Sequence, residues 1–373
     1  MSMFRLAVRN LIQNKTRLLI SVAGVGLALT LVLAFSAIFT GAQGRLTVYI
    51  DHAGADLWVS QEGVQTMHMS QSSLPAAVVD QVKAVPGVEQ AVPILYTEAM
   101  IQAKDKDYIA YIFGVSPGAP LGGPWRIVAG TSQLRSGEVI IDHAVASQSG
   151  LSVGDQVTVL GQQMTIAGLT SGGSSLVSSV TFVRMDDFSR ARGGSDVVSF
   201  VLVKVGPGES PTSVRDRIAQ NAPGTTVQTR QQFASQERQL VSDMSSDIIN
   251  IMNVAGFATG LAVVVLTIYI ATVARRREYG VLKAIGVRNG RLYQVILLQA
   301  LLTVGLGLAV ALGLTLALSA IVPRFNELIV LSISSASLLR VTFVSVVLAV
   351  IAAFLPARQI AGLEPVAVLR RSR

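Results

Sequence analysis

Hydrophobic positions along this chain fall into two textures. Four long runs carry no charged residue: Leu18–Gly44, Ile248–Ala274, Leu292–Pro323 and Val341–Ala357. The first two are 27 residues long, the third 32 and the fourth 17. A helix needs roughly 20 apolar residues to cross a bilayer. The fourth run reaches that length if Arg340 lays its stem along apolar surface and keeps its head at the interface. The pattern therefore predicts four transmembrane helices, over 18–41, 248–274, 292–320 and 338–357, with a connecting loop at 321–337. The first run exceeds the roughly 7–15 apolar residues of a cleaved signal core, so a retained helix is expected there.

Between the first two runs the texture changes to short alternating stretches punctuated by Gly and Pro. Residues 42–247 read as one mixed α/β domain. Leu74-Pro75-Ala76 opens a short helix, Pro86-Gly87 breaks it, and a strand follows from Val88. The order returns at Ser210-Pro211, Pro223-Gly224 and Thr225–Thr229, which predicts two matching halves of helices on a sheet. Further strands are expected at Tyr108–Val115 and Val197–Val205. A β-rich insert at about 118–195 includes Glu138–Asp142, Gln156–Leu160 and Met164–Leu169, with turns at Gly150, Gly154 and Gly161. From Gln231 no proline interrupts the helical pattern, so 231–247 reads as a stalk continuing into the second span. The fold class is an α-helical membrane protein with an α+β extracytoplasmic domain and helices in the order one, then three.

Composition agrees with a membrane. Of 373 residues, 51% are hydrophobic and 14% charged, against about 25% charged in soluble proteins. The placement of charge decides more than its total of +8. Segments 1–17, 275–291 and 358–373 together carry net +12, and residues 42–247 carry net −5. Short basic loops stay in the cytoplasm. Both termini and the 275–291 loop are therefore expected inside, and the large domain outside, a bacterial cytoplasmic (inner) membrane. The basic residues are membrane-adjacent, which argues against nucleic acid as a partner. Phe4, Ala7, Val8, Leu11 and Ile12 give segment 1–17 an amphipathic period; it either lies on the inner leaflet or extends the first span. With no cysteine, disulfides and thiolate metal sites are excluded.

The cytoplasmic loop carries the informative motif. Tyr279, Leu282 and Ile285 recur three apart, and Gly280 and Gly286 leave the backbone accessible. A short apolar-faced helix there needs a protein to cover it. Arg277-Glu278-Tyr279-Gly280-Val281-Leu282-Lys283-Ala284-Ile285-Gly286 resembles the loop signature of the FtsX-like, MacB-type ABC transporter permease superfamily. Pro356 to Arg370 resembles the closing segment of that family, departing from it at Gly362-Leu363-Glu364. Gly54–Ser60 followed by Gln61–Val64 and Met67-His68-Met69 looks closest to its HrtB/DevC-like branch. The resemblance covers essentially the whole chain. It implies that Glu278, Tyr279, Gly280, Leu282, Lys283 and Gly286 belong to a coupling helix that docks on a separate ATPase.

The chain contains no G-x-x-x-x-G-K-[ST] phosphate loop. No cofactor is expected on this chain, and ATP and Mg are expected on the partner. Two ATPase copies, a second permease copy (a homodimer), the lipid bilayer and a periplasmic adaptor complete the expected partners. Met67, His68 and Met69 supply thioether and imidazole groups suited to haem iron or copper, or pack against the domain's membrane-proximal face; no metal site is firm. Asn250 and Asn253 in the second span, and Gln294 and Gln299 in the third, either line a polar cavity or hydrogen-bond between helices. Gly305, Ala309 and Gly313, and likewise Ser345, Ala349 and Ala353, read as small-residue packing seams. No catalytic constellation appears, so the chain reads as a non-enzyme. By resemblance the function is export or membrane extraction of a hydrophobic or amphipathic compound (haem, lipid, peptide or drug), or, alternatively, transmission of a mechanical signal to an extracellular enzyme.

Overall fold

A computed structural model describes residues 13, 15–68, 70–173, 179–194, 196–274, 276–285, 287–325 and 329–361. The amphipathic segment before Gln13, Met69, Gly286 and the tail beyond residue 361 lie outside the described residues. The chain divides into two compact units, one of Met1–Gly41, Ser245–Phe325 and Val330–Arg373, the other of Ala42–Met244 with Asn326–Ile329.

In chain order the elements are α1 (Lys15–Leu46), α2 (Val48–His52), β1 (Leu57–Gln61), β2 (Leu74–Pro75), α3 (Ala77–Lys83), β3 (Val88–Ala103), β4 (Lys106–Val115), β5 (Ile127–Gly130), β6 (Glu138–Asp142), α4 (His143–Ser149), β7 (Gln156–Val159), β8 (Gln162–Thr170), β9 (Ser179–Arg184), α5 (Met185–Ala191), β10 (Val197–Val198), β11 (Phe200–Val205), α6 (Pro211–Asn221), β12 (Thr225–Thr229), α7 (Arg230–Val273), α8 (Arg276–Ala284), α9 (Asn289–Phe325) and α10 (Ser335–Ala361).

The α+β unit is built on one sheet of order β12-β1-β11-β3-β4-β9-β6-β8-β5, with β7 pairing β3 and β8. Strand alternation sorts its side chains onto two faces. Leu57, Val59, Val201 and Val203 meet Val78 and Val82 of α3 and Val214 and Ile218 of α6. The intervening Trp58, Phe200 and Leu202 join Tyr49, Met67 and Phe233 in a second core. The sequence places the insert between the two halves of one split sandwich; the structure makes it a continuation of the same sheet. The reason is the length of β3. Its first part pairs with β11, from Ile94↔Phe200 to Val88↔Val205, and its second part pairs with β4, from Leu95↔Gly114 to Ala103↔Lys106. The insert then adds its own core around Ile101, Ile112, Val139, Ile141, Ile166 and Phe188.

In the helical unit, three helices among the described residues are long and apolar enough to cross a membrane: Leu18–Ala42, Asn289–Phe325 and Ser335–Phe354. The described apolar stretch of α7 is Val254–Val263, within the charge-free run Ile248–Ala274. Val25, Leu29 and Leu33 of α1 pack with Ile296, Ala300 and Val304 of α9 and with Leu348, Ala349 and Ala352 of α10. Glycines set the closest approaches. A Cβ on Gly307 would lie 2.6 Å from Val25 Cγ1, one on Gly24 2.8 Å from Val263 Cγ1, and one on Gly256 2.3 Å from Val32 Cγ2. Ser36 Oγ donates to Ser337 Oγ at 2.8 Å, tying α1 to α10. Leu19, Leu27, Phe343 and Phe354 remain exposed on the bundle, as expected where lipid is the solvent.

The seam expected on the third span is corrected. Gly305 and Gly313 have nothing within 4 Å of an added Cβ, and Ala309 is exposed with them. The packed small face of α9 is Ala300, Gly307 and Ala311. Residues two apart on a helix project about 200° apart, so two small-residue stripes coexist and only one faces a neighbour. On α10 the expected Ser345, Ala349 and Ala353 are buried.

Candidate functional site

Two places in the chain gather the residues singled out by sequence. The first is the segment after β1. Met67 is fully buried in the aromatic core, and His68 is 4% exposed. What holds them is Glu237, on the third turn of α7 and 0% exposed. Phe233, Ala234 and Glu237 share one helix face at i, i+1 and i+4; Phe233 stacks on Trp58 with ring centroids 4.8 Å apart. That contact aims Glu237 at the 66–68 segment. Its Oε2 accepts the Met67 N–H at 2.7 Å, and its Oε1 accepts the His68 N–H at 3.2 Å and the His68 ring at Nδ1. A carboxylate only accepts, so Nδ1 carries the proton. Nε2 is buried with no hydrogen-bond partner among the described residues.

Tyr111 meets the His68 ring edge-on at 4.2 Å, and Tyr96 lies 6.3 Å away. Burial pushes the Tyr96 phenol well above its ordinary value, and Tyr111, Glu98 and Glu237 add in the same direction. The segment is thus a clasp between loop and helix. A haem face approaching Nε2 would have to displace the packing that buries the ring. Met67 is packed into the same core as Trp58, Tyr96 and Phe233. Among the described residues no cluster of three or more His, Asp or Glu side chains is placed to hold a metal ion.

The second place is α8, nine residues between the long helices α7 and α9. Glu278 is exposed, Gly280 buried and Lys283 half-buried; Glu278 and Lys283 both have interaction partners. Val281 is 45% and Ile285 72% exposed. Ile285 N–H donates to Val281 O at 3.1 Å, extending the helical turn past Ala284. The two apolar side chains lie one turn apart and so present a common exposed stripe. Tyr279 and Leu282 lie on the same helix. Asn250 and Asn253 lie on α7. On α9, Gln299 is buried and Gln294 exposed.

Sequence reasoning missed Glu237. Its signal was present: an acid at the i+4 position of Phe233 on a helix whose other buried neighbour is Ala234. Its partner is 169 residues distant, so no local spacing joined them.

Comparison with known proteins gives matches along both units. A family profile described as the MacB-like periplasmic core domain matches residues 18–221, and one described as the FtsX-like permease C-terminal region matches residues 250–365. The chain is similar to a probable syringafactin export ATP-binding/permease protein of Pseudomonas syringae pv. tomato, 22% identical over 390 residues that cover 99% of this chain and 58% of that one. It therefore spans less than two thirds of that relative's length. An uncharacterized ABC transporter permease of Mycobacterium bovis is 23% identical over 363 residues, covering 96% of this chain and 97% of that one. The crystal structure of the periplasmic region of MacB from Actinobacillus actinomycetemcomitans aligns with 52% of this chain and 97% of its own, with a TM-score of 0.38 and 11% identity.

Proposed function

The chain belongs to the family of FtsX-like, MacB-type ABC transporter permeases, and on that premise we propose that it couples ATP hydrolysis on a partner ATPase to export, or extraction from the membrane, of a hydrophobic or amphipathic compound. The observation that carries this reading is the exposed stripe of Val281 and Ile285 on α8. A short helix between two long apolar ones, with uncovered apolar side chains, has the form of a docking element. The chain's 373 residues contain no phosphate loop, so the nucleotide is assigned to the partner, together with its Mg. The export direction is supported by the description of the Pseudomonas relative, which matches nearly all of this chain. Two permease copies with two ATPase copies, in a bacterial cytoplasmic membrane with α8 inside, complete the proposal.

The test is Ile285→Asp, alone and with Val281→Asp, in the permease–ATPase complex reconstituted in vesicles. Placing a carboxylate on the docking stripe is expected to lower substrate-stimulated ATPase activity by roughly tenfold or more, which corresponds to about 1.4 kcal/mol of lost coupling, with the protein still in the membrane. Full stimulation in the double variant would remove the coupling role from α8.

A further inference from the structure

The apolar stretch of α1 ends at Ala42, but the helix runs on to Leu46. Arg45 lies three residues past the stretch, about 4.5 Å further along the axis. The polar layer on each side of a roughly 30 Å hydrocarbon core is about 5–7 Å thick, so an apolar stretch that ends at the hydrocarbon boundary carries Arg45 at headgroup depth. The fold gathers a basic and aromatic rim around it. Thr47 interrupts the helix and α2 begins at once, ending on His52. The His52 ring stacks on Trp125, with centroids 5.1 Å apart at 23°, and Nδ1 is 2.8 Å from Val48 O.

The loop carrying Trp125 is pinned to α2 by two hydrogen bonds. Tyr49 Oη donates to Gly122 O at 2.9 Å, and Gly122 N–H donates to Ala53 O at 2.9 Å. The next residue, Arg126, accepts at its carbonyl from Ser171 N–H and Thr170 Oγ1. Arg45 Nη1 reaches the same chain segment, donating to Gly172 O at 2.7 Å. Arg45, His52, Trp125 and Arg126 thus share one edge of the domain. Arg238 adds a guanidinium to it, bonded to Thr47 Oγ1 at 3.2 Å; the same hydroxyl donates to the carboxylate of Asp51, the acidic member of the rim. The Arg126 side chain is exposed and takes no hydrogen bond or ion pair among the described residues. The domain as a whole is acidic, net −5 over residues 42–247, so this basic edge runs against its surroundings.

We propose that this rim docks in the lipid headgroup layer and recognises anionic phospholipid: Arg45 and Arg126 engage the phosphates, and Trp125 sits at the level of the acyl-chain junction. Guanidinium groups match phosphate geometry with paired N–H donors, and tryptophan favours the membrane interface. The proposal rests on α1 spanning the membrane and not on what the protein carries.

The chain has two tryptophans, and Trp58 is fully buried against Phe233. A quencher at the bilayer surface therefore reads Trp125, and Trp125→Phe supplies the blank. The full chain is placed in vesicles of phosphatidylcholine, with or without about a quarter phosphatidylglycerol. Lipid spin-labelled at the headgroup is expected to quench Trp125 more than aqueous iodide does; the opposite order would overturn the docking. Labelled phosphatidylglycerol should quench better than labelled phosphatidylcholine. Arg45→Gln with Arg126→Gln should reduce that preference by roughly fivefold per arginine at low ionic strength, until the two lipids quench alike. An unchanged preference would overturn the assignment of the arginines. Lysine at both positions keeps the charge and should recover the preference; failure to recover it would equally overturn charge recognition. Inorganic phosphate at millimolar concentration should not compete, and competition would mean that free anion rather than lipid is the ligand.

Discussion

At position 237 a carboxylate shut off from solvent accepts from two backbone amides and one imidazole. Removing it would leave the N–H groups of Met67 and His68 buried without an acceptor, and each such group costs about 1–3 kcal/mol. Glu237→Ala is therefore expected to destabilise the full chain in detergent by about 2–5 kcal/mol, with hydrogen exchange at those two amides rising first. Glu237→Gln keeps one oxygen and should cost less. Equal exchange at both amides in Glu237→Ala and the parent would show that the clasp contributes no protection. His68 was visible in the sequence as one member of a Met-His-Met run. Its role was not, because the residue that defines it lies on another element far along the chain.

The helices are where local pattern and packing part company. Uninterrupted α7, from Arg230 to Val273, follows from a stretch without proline. The choice of packed face on α9 does not follow from any local rule. Glycine at 307 admits Val25 so closely that any side chain would collide, whereas Gly305 and Gly313 have open space. Gly307→Leu should accordingly weaken the α1–α9 pairing by about 1–3 kcal/mol or more, read as a lower thermal midpoint in detergent. Gly305→Leu meets no neighbour and should not lower the thermal midpoint of the single chain, because leucine is the better helix former by roughly 0.5–1 kcal/mol. The reverse ranking would show that the bundle packs through the other stripe.

For the whole molecule, charge asymmetry is the quantity that assigns sides. Net +12 on three short segments against net −5 on the long one predicts, under the positive-inside rule, Arg288 inside and Asp105 outside. The absence of cysteine makes this directly measurable with single-cysteine variants. A membrane-impermeant maleimide should label Asp105→Cys in intact cells and Arg288→Cys only after permeabilisation. Labelling in the opposite order would invert the topology and with it the docking side of α8.

The amino-acid sequence alone determined the apolar runs of α1, α9 and α10, the unbroken course of α7, the helix–turn–strand repeats and the α8 motif. Each depends on neighbours within one helix or strand: a bilayer demands a long apolar run, and a strand shows its period in a few residues. Tertiary structure alone decided which of two glycine stripes on α9 is buried, that β3 is long enough to fuse the insert into one sheet, and that His68 is clasped by Glu237. Those are choices among locally equivalent options, settled by volume and hydrogen-bond satisfaction between segments far apart in the chain. The rim of Arg45, His52, Trp125 and Arg126 belongs to the same class: four ordinary residues that become one surface only when Gly122 is hydrogen-bonded to α2.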